Sequence, residues 1–222
     1  MRSLQIEILT YPAIRNAYSE LVHAHALCFP VEHSEEAKTE TVDEFFARVT
    51  WLHEEQDATW FLLWESDANV PSNRTLIAFA CGYSYADSWY GSHLGVIPWR
   101  RGQGYGSYLM RISQHHASRL GIRRLQASVE VDPKVARATL LRYYERHGAR
   151  IVETGIGSTG AIVGSVVRIQ RHFTPKIAQQ ELAASERHIR GGLIKRWRVF
   201  SLIILVAVQL GSLRKSKDAF AR

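Results

Sequence analysis

Apolar and polar positions alternate over LQIEIL (4–9), which predicts an opening strand. From 12 to 28 the period changes. Ile14, Ala17, Leu21, Ala24 and Cys28 recur near helical spacing, and Phe29-Pro30 stops the helix. A second helix is predicted over 36–53, with Val42, Phe45, Phe46 and Val49 on one side. TWFLLWE (59–65) and LIAFACGYSYA (76–86) read as strands joined by the turn ANVPSNRT, and SWYGSHLGVI (88–97) as a third strand ended by Pro98. Helical spacing returns over 104–119 through Leu109, Ile112 and Ala117, with Gly121 where a C-cap glycine belongs. LQASVEV (125–131) predicts a strand and 134–147 a helix closed by Gly148. ARIVETGIG and GSVVRIQRHF predict a closing pair of strands.

Strands interleaved with helices, several of them joined by short turns, predict an α/β fold: a mixed sheet with helices on its faces. The pattern changes past Phe173, so the chain divides into a domain over 1–173 and a basic helical extension over 174–222. Pro175 opens a polar helical stretch, KIAQQELAASERHIR, which Gly191-Gly192 break. VFSLIILVAVQLGSL (199–213) is apolar on all sides but short of the roughly twenty residues that span a bilayer. It reads as a buried or partner-packing helix, with peripheral membrane contact as the less favoured reading.

Composition changes this picture little. The 222 residues are 46% hydrophobic and 22% charged, as in a soluble globular protein. Two cysteines, Cys28 and Cys81, fit no metal spacing, and MRSLQIEILT opens no secretory segment, so a reducing, cytoplasmic location is expected. No metal site is expected. His23 and His25, like His115 and His116, read as histidines on helix surfaces.

Charge distribution says more. The net charge of +7 favours an anionic partner. Basic residues gather in the last third without interleaved aromatics, so no nucleic-acid surface is expected. Residues 32–57 are acidic, with Glu32, Glu35, Glu36, Glu40, Asp43 and Glu44 leading the run.

The chemistry concentrates in LGVIPWRRGQGYGSYLM (94–110). Gly102, Gly104 and Gly106 alternate there, although glycine weakens strand and helix alike, so the bare backbone itself must be needed. A P-loop would require GxxxxGK[ST], and a dinucleotide-binding turn would require GxGxxG entered directly from a strand. Neither is present. A strand, a proline, Arg100 and Arg101, a glycine turn and a helix remain. Such a loop exposes main-chain N–H groups at a helix N-terminus and suits a pyrophosphate.

With Arg101, Gly104 and Gly106 filling [RQ]-x-x-G-x-[GA] behind Val96 and Pro98, the chain resembles the GNAT superfamily of acyl-CoA-dependent N-acetyltransferases. A second landmark, Tyr144 followed by Gly148 in LLRYYERHGARIV, is similar too. Two departures stand beside it: Arg137 where an Asn is common, and Ala149 where a Phe usually follows the glycine. The resemblance implies a mostly antiparallel sheet flanked by helices and acetyl-CoA as co-substrate. It implies cofactor contacts from Leu94, Val96, Arg100, Arg101, Gly102, Gln103, Gly104, Tyr105, Gly106 and Ser107.

It further implies Tyr144 as general acid. The family's common base position falls on Tyr90, with Asp87 and Glu130 as alternatives. Strict strand alternation puts Ser92 and Leu94 on the face of Tyr90 and turns His93 away. The acceptor wall would be CFPVEHSEEAKTETVDEFF, whose carboxylates suit a cationic amine such as a polyamine, an arylalkylamine or a lysine side chain. The competing expectation is a non-catalytic acyl-CoA-binding module on the same scaffold, and a homodimer is compatible with either.

Overall fold

The computed structural model describes residues 2–11, 13–29, 41–50, 58–67, 70–130, 137–159 and 162–192. The apolar segment 199–213 and the acidic residues Glu32, Glu35, Glu36 and Glu40 lie outside them, as does the side chain of Glu130. Strands β1 (Arg2–Thr10), β2 (Thr59–Asp67), β3 (Val70–Tyr85), β4 (Ser88–Val96), β5 (Arg124–Glu130), β6 (Arg150–Thr159) and β7 (Ile162–His172) form one sheet, ordered β1-β2-β3-β4-β5-β7-β6. Every junction is antiparallel except β4 with β5. Five helices accompany it among the described residues: α1 (Tyr18–Cys28), α2 (Val42–Thr50), α3 (Tyr105–Arg119), α4 (Arg137–Arg146) and α5 over 175–192.

β2 explains why the sheet is covered on both faces. Thr59 through Trp64 are all buried, so the strand reads as a continuous apolar run rather than an alternation. Phe61 meets His116 of α3 on one side, while Trp60 meets Phe46 of α2 on the other. Helix α1 turns Leu21, Ala24 and His25 inward at i, i+3 and i+4. His25 is fully buried among Phe29, Phe45 and Phe79, which corrects the expectation of a surface histidine. His116 also packs, against Phe61 and Trp89. Each large apolar side chain buried this way contributes about 1.5–3 kcal/mol.

Two boundaries differ from the pattern-based expectation. β3 begins at Val70, inside the expected turn, because the β2–β3 hairpin extends past a register shift at Ser66/Asp67. The first helix begins as a 3-10 turn over Ala13–Ala17. Gly121 ends α3 as expected: at φ +81° it lets its own N–H reach Ser118 and that of Ile122 reach Ala117. Thr174 caps α5 through its hydroxyl, which accepts from the Ile177 N–H, with Pro175 in the first turn. The helix then contributes Ala178, Leu182 and Ile189 to the main core. Among the described residues no helix is long and apolar enough to cross a membrane.

Candidate active site

The sheet opens in its middle. β4 and β5 pair only from Trp89–Gly91 against Leu125–Ala127, so beyond Gly91 the two strands diverge. A cleft forms there, lined by Ser92, His93, Leu94, Met110, Ala127, Ser128 and Tyr144. A bulge sits at its mouth. Against β3, Gly91 pairs with Gly82 and His93 with Cys81, which leaves Ser92 as an extra residue. That one residue resets the alternation of the strand. His93, rather than Ser92 or Leu94, shares the face of Tyr90, and its ring lies 5.3 Å from that of His25 and 5.5 Å from Phe29. Strict alternation had turned His93 the other way, and the extra residue is the reason it fails.

Tyr144 reaches the cleft from α4 and packs, with Ala127, Leu140 and Leu141, on the cluster of Ala149 and Ile169. Burial first, and then Tyr143, push its phenol above the ordinary value, so it stays protonated and can donate. Tyr90 spans the point of divergence: its hydroxyl donates to Ser128 Oγ at 2.8 Å and its ring lies 5.2 Å from Tyr83. Tyr83 is itself pushed up to about 12 by burial. Asp87 accepts from Arg124 at the β3–β4 turn.

The glycine loop begins where β4 ends. Pro98–Arg100 make one 3-10 turn, and Gly104 at φ +87° is the N-cap of α3. Gly102 has φ +72°, with no atom within 4 Å of the place a Cβ would take. A Cβ on Gly106 would stand 3.4 Å from Tyr143 Oη, close enough that only a small residue fits. Gly104 is enclosed: its Cβ would lie 3.1 Å from His188 Cδ2, so α5 covers this side of the loop.

Arg101, Gly102, Gln103, Gly104, Gly106 and Ser107 therefore gather at the N-terminus of α3, next to Leu94 and Val96 on the diverging strand. Arg101 Nε donates to the Val96 carbonyl at 3.0 Å and Gln103 Nε2 to that of Trp99 at 3.3 Å. Tyr105 buries its ring in the core. Arg100 is the residue the fold does not bring to this group. It pairs with Glu65 of β2, and the two side chains are only 18% and 11% exposed.

A sequence-family model for the acetyltransferase (GNAT) family matches residues 18–149, more than half of the chain. The chain belongs to this family. Its fold is shared by the ribosomal-protein-S18-alanine N-acetyltransferase from Escherichia coli, with a TM-score of 0.52 and 14% identity over 78% of this chain and 95% of that one. A GNAT-family protein from Desulfovibrio desulfuricans superimposes with a TM-score of 0.51 and 16% identity over 77% and 99% of the two chains. No curated protein matches the chain significantly.

GNAT enzymes use acetyl-CoA, and this acetyltransferase has features that fit it. Bare backbone with open space at Gly102 and a helix N-terminus at Gly104 suit an anionic pyrophosphate, and the divergence of β4 from β5 leaves an edge for an extended arm. Among the described residues no three of His, Cys, Asp and Glu converge as a metal group would require. The sequence reading put one residue of this GNAT domain, His93, on the wrong face and passed over another, His147. A signal existed for the first, because an isolated glycine inside a strand pattern, here Gly91, marks a bulge. His147 sits inside the Tyr144–Gly148 landmark, and only the fold shows what it touches.

Proposed function

We propose that this acetyltransferase moves the acetyl group of acetyl-CoA to a primary amine by direct attack within a ternary complex, with His93 as base and Tyr144 as acid. The observation that carries the reading is the cleft itself. One imidazole, His93 of β4, and one phenol, Tyr144 of α4, line it from different elements. Acetyl-CoA would supply the activated thioester. Main-chain groups of the loop and Arg101 would hold its pyrophosphate, and the edge of β4 around Leu94 and Val96 its extended arm.

The chain's own residues then manage protons. An ammonium group cannot attack until it loses one, and imidazole is the commonest general base in proteins. His93 takes that proton, with Ser92 Oγ 3.0 Å from Nδ1 fixing the ring. Tyr144 Oη, kept protonated by burial, donates to the departing sulfur. A base at His93 on the strand argues against the non-catalytic module.

For the acceptor we infer a cationic amine. Its described wall is aromatic, with Phe29 beside His93 and Tyr83 beside Tyr90, and aromatic faces attract cations. The carboxylates of Glu32, Glu35 and Glu36 follow Phe29 directly in the chain.

Acetyl transfer to a panel of polyamines, arylalkylamines and lysine peptides tests the reading, together with calorimetric titration of acetyl-CoA. His93→Gln and Tyr144→Phe should each lower kcat by about 10²–10⁴-fold with acetyl-CoA affinity retained. Gly102→Asp should bind acetyl-CoA more weakly than Gly102→Asn, which has the same shape without the charge. A folded wild type that binds no acetyl-CoA overturns the proposal, and unchanged kcat in both cleft variants overturns the assignment of roles.

A further inference from the structure

A polar network runs from α5 to the glycine loop beneath the surface of the molecule. Glu181 of α5 receives Arg111 Nη1 at 2.8 Å and Arg171 Nη2 at 2.6 Å. Gln114, fully buried, accepts from the same two guanidinium groups at 3.0 and 3.1 Å. Arg111 then turns its Nη2 to His147 Nδ1 at 2.9 Å, and His147 Nε2 lies 2.9 Å from Ser107 Oγ in the first turn of α3.

The donors fix the direction of every bond in this chain. A guanidinium has only N–H donors, so His147 Nδ1 must accept. A neutral imidazole that accepts at one nitrogen carries its proton on the other. Nε2–H therefore donates to Ser107 Oγ, which leaves the Ser107 hydroxyl proton to another acceptor.

We propose that His147 is a positioning residue for the cofactor: by donating to Ser107 Oγ it presents the Ser107 hydroxyl as a hydrogen-bond donor to the phosphates of acetyl-CoA. The inference rests on the acetyltransferase reading above. Nothing about His147 itself touches the reacting atoms. It acts through Ser107, and α5 acts through Glu181 and Arg111 to fix the imidazole.

Protonation breaks the arrangement, since an Nδ1–H would face the Arg111 guanidinium with no lone pair to offer. The charged groups around the ring are Arg111 from α3, Arg146 from α4, Arg171 from β7 and Glu181 from α5, with Tyr143 stacked edge-on at 4.7 Å. Burial and Arg146 hold the imidazole below its ordinary value and Glu181 opposes them, so the neutral, directional form is the one the fold favours.

Calorimetric titration across pH tests this on the full chain. Three proteins are compared: wild type, His147→Leu and His147→Gln, whose amide can accept from Arg111 and donate to Ser107 without titrating. The ligands are acetyl-CoA and acetyl-pantetheine, which lacks the pyrophosphate. At about pH 8, His147→Leu should lose about tenfold or more in acetyl-CoA affinity, the worth of one hydrogen bond to a charged group. Its affinity for acetyl-pantetheine should not change.

His147→Gln should restore acetyl-CoA binding and remove the acid-side weakening that wild type shows. Equal acetyl-CoA affinity in wild type and a folded His147→Leu overturns the inference alone, as does an equal loss for both ligands, which would mean general damage. A wild type that binds no acetyl-CoA overturns the acetyltransferase reading with it.

Discussion

Replacing Glu181 by Ala would leave two guanidinium groups facing each other without their shared carboxylate. The Arg111 and Arg171 side chains are only 9% and 11% exposed, so water cannot readily take its place. Removing one member of a buried ion pair costs about 3–5 kcal/mol. Two facts favour the lower end. Glu181 keeps 29% of its side-chain surface, and the Gln114 carbonyl still accepts from both arginines. A loss of about 3 kcal/mol follows, which in a chain of this size lowers Tm by about 6–12 °C. Thermal and urea denaturation of wild type, Glu181→Ala and Glu181→Gln measure it, with Gln falling between the other two because it retains an acceptor. Salt at about 1 M should shrink the difference little, since buried pairs are poorly screened. A Glu181→Ala protein melting within about 2 °C of wild type would refute the idea that α5 is fastened to the sheet by charge.

Two further predictions concern the loop and acid stability. Gly104→Ala must hold a left-handed backbone at about 1–2 kcal/mol and also press on His188, whereas Gly106→Ala has ordinary helical space. Melting curves should therefore show a drop of several degrees for the first and almost none for the second, and equal curves would refute the enclosure of Gly104 by α5. His147 and His116 both have lowered pKa values, chiefly through burial. The unfolded chain then binds more protons than the folded one below about pH 6.5, so stability is full above that pH and is lost as pH falls toward the folded values. Urea midpoints measured across that window should decline toward acid, and less steeply in His147→Gln.

Much of the fold was legible because it rests on local rules. Gly121 and Gly148 ended their helices where the pattern placed them, since only glycine takes a positive φ there cheaply. TWFLLWE was readable as a strand because both its faces are covered. The glycine turn was readable from Gly102, Gly104 and Gly106, because Gly102 and Gly104 take a positive φ and Gly104 caps α3. What was not legible depends on contacts far apart in sequence. Arg100 looked like a phosphate ligand until the fold set Glu65 beside it, 35 positions earlier in the chain. His93 was assigned to the wrong face because periodicity has no way to count a bulged residue. His147 is an ordinary helical surface residue until Arg111 and Ser107 arrive from another helix.

The enclosure of Gly104 by α5 also has a consequence for synthesis. His188 emerges from the ribosome 84 positions after Gly104, and β5 must wait for β7, the last strand, before its far edge is paired. At about 5–20 residues per second that delay is roughly 4 to 17 s. Through it, the nascent chain holds a glycine turn with no helix over it, and the Arg111 guanidinium waits for Glu181, 70 positions further on. The glycine loop is therefore made well before the helix that encloses it.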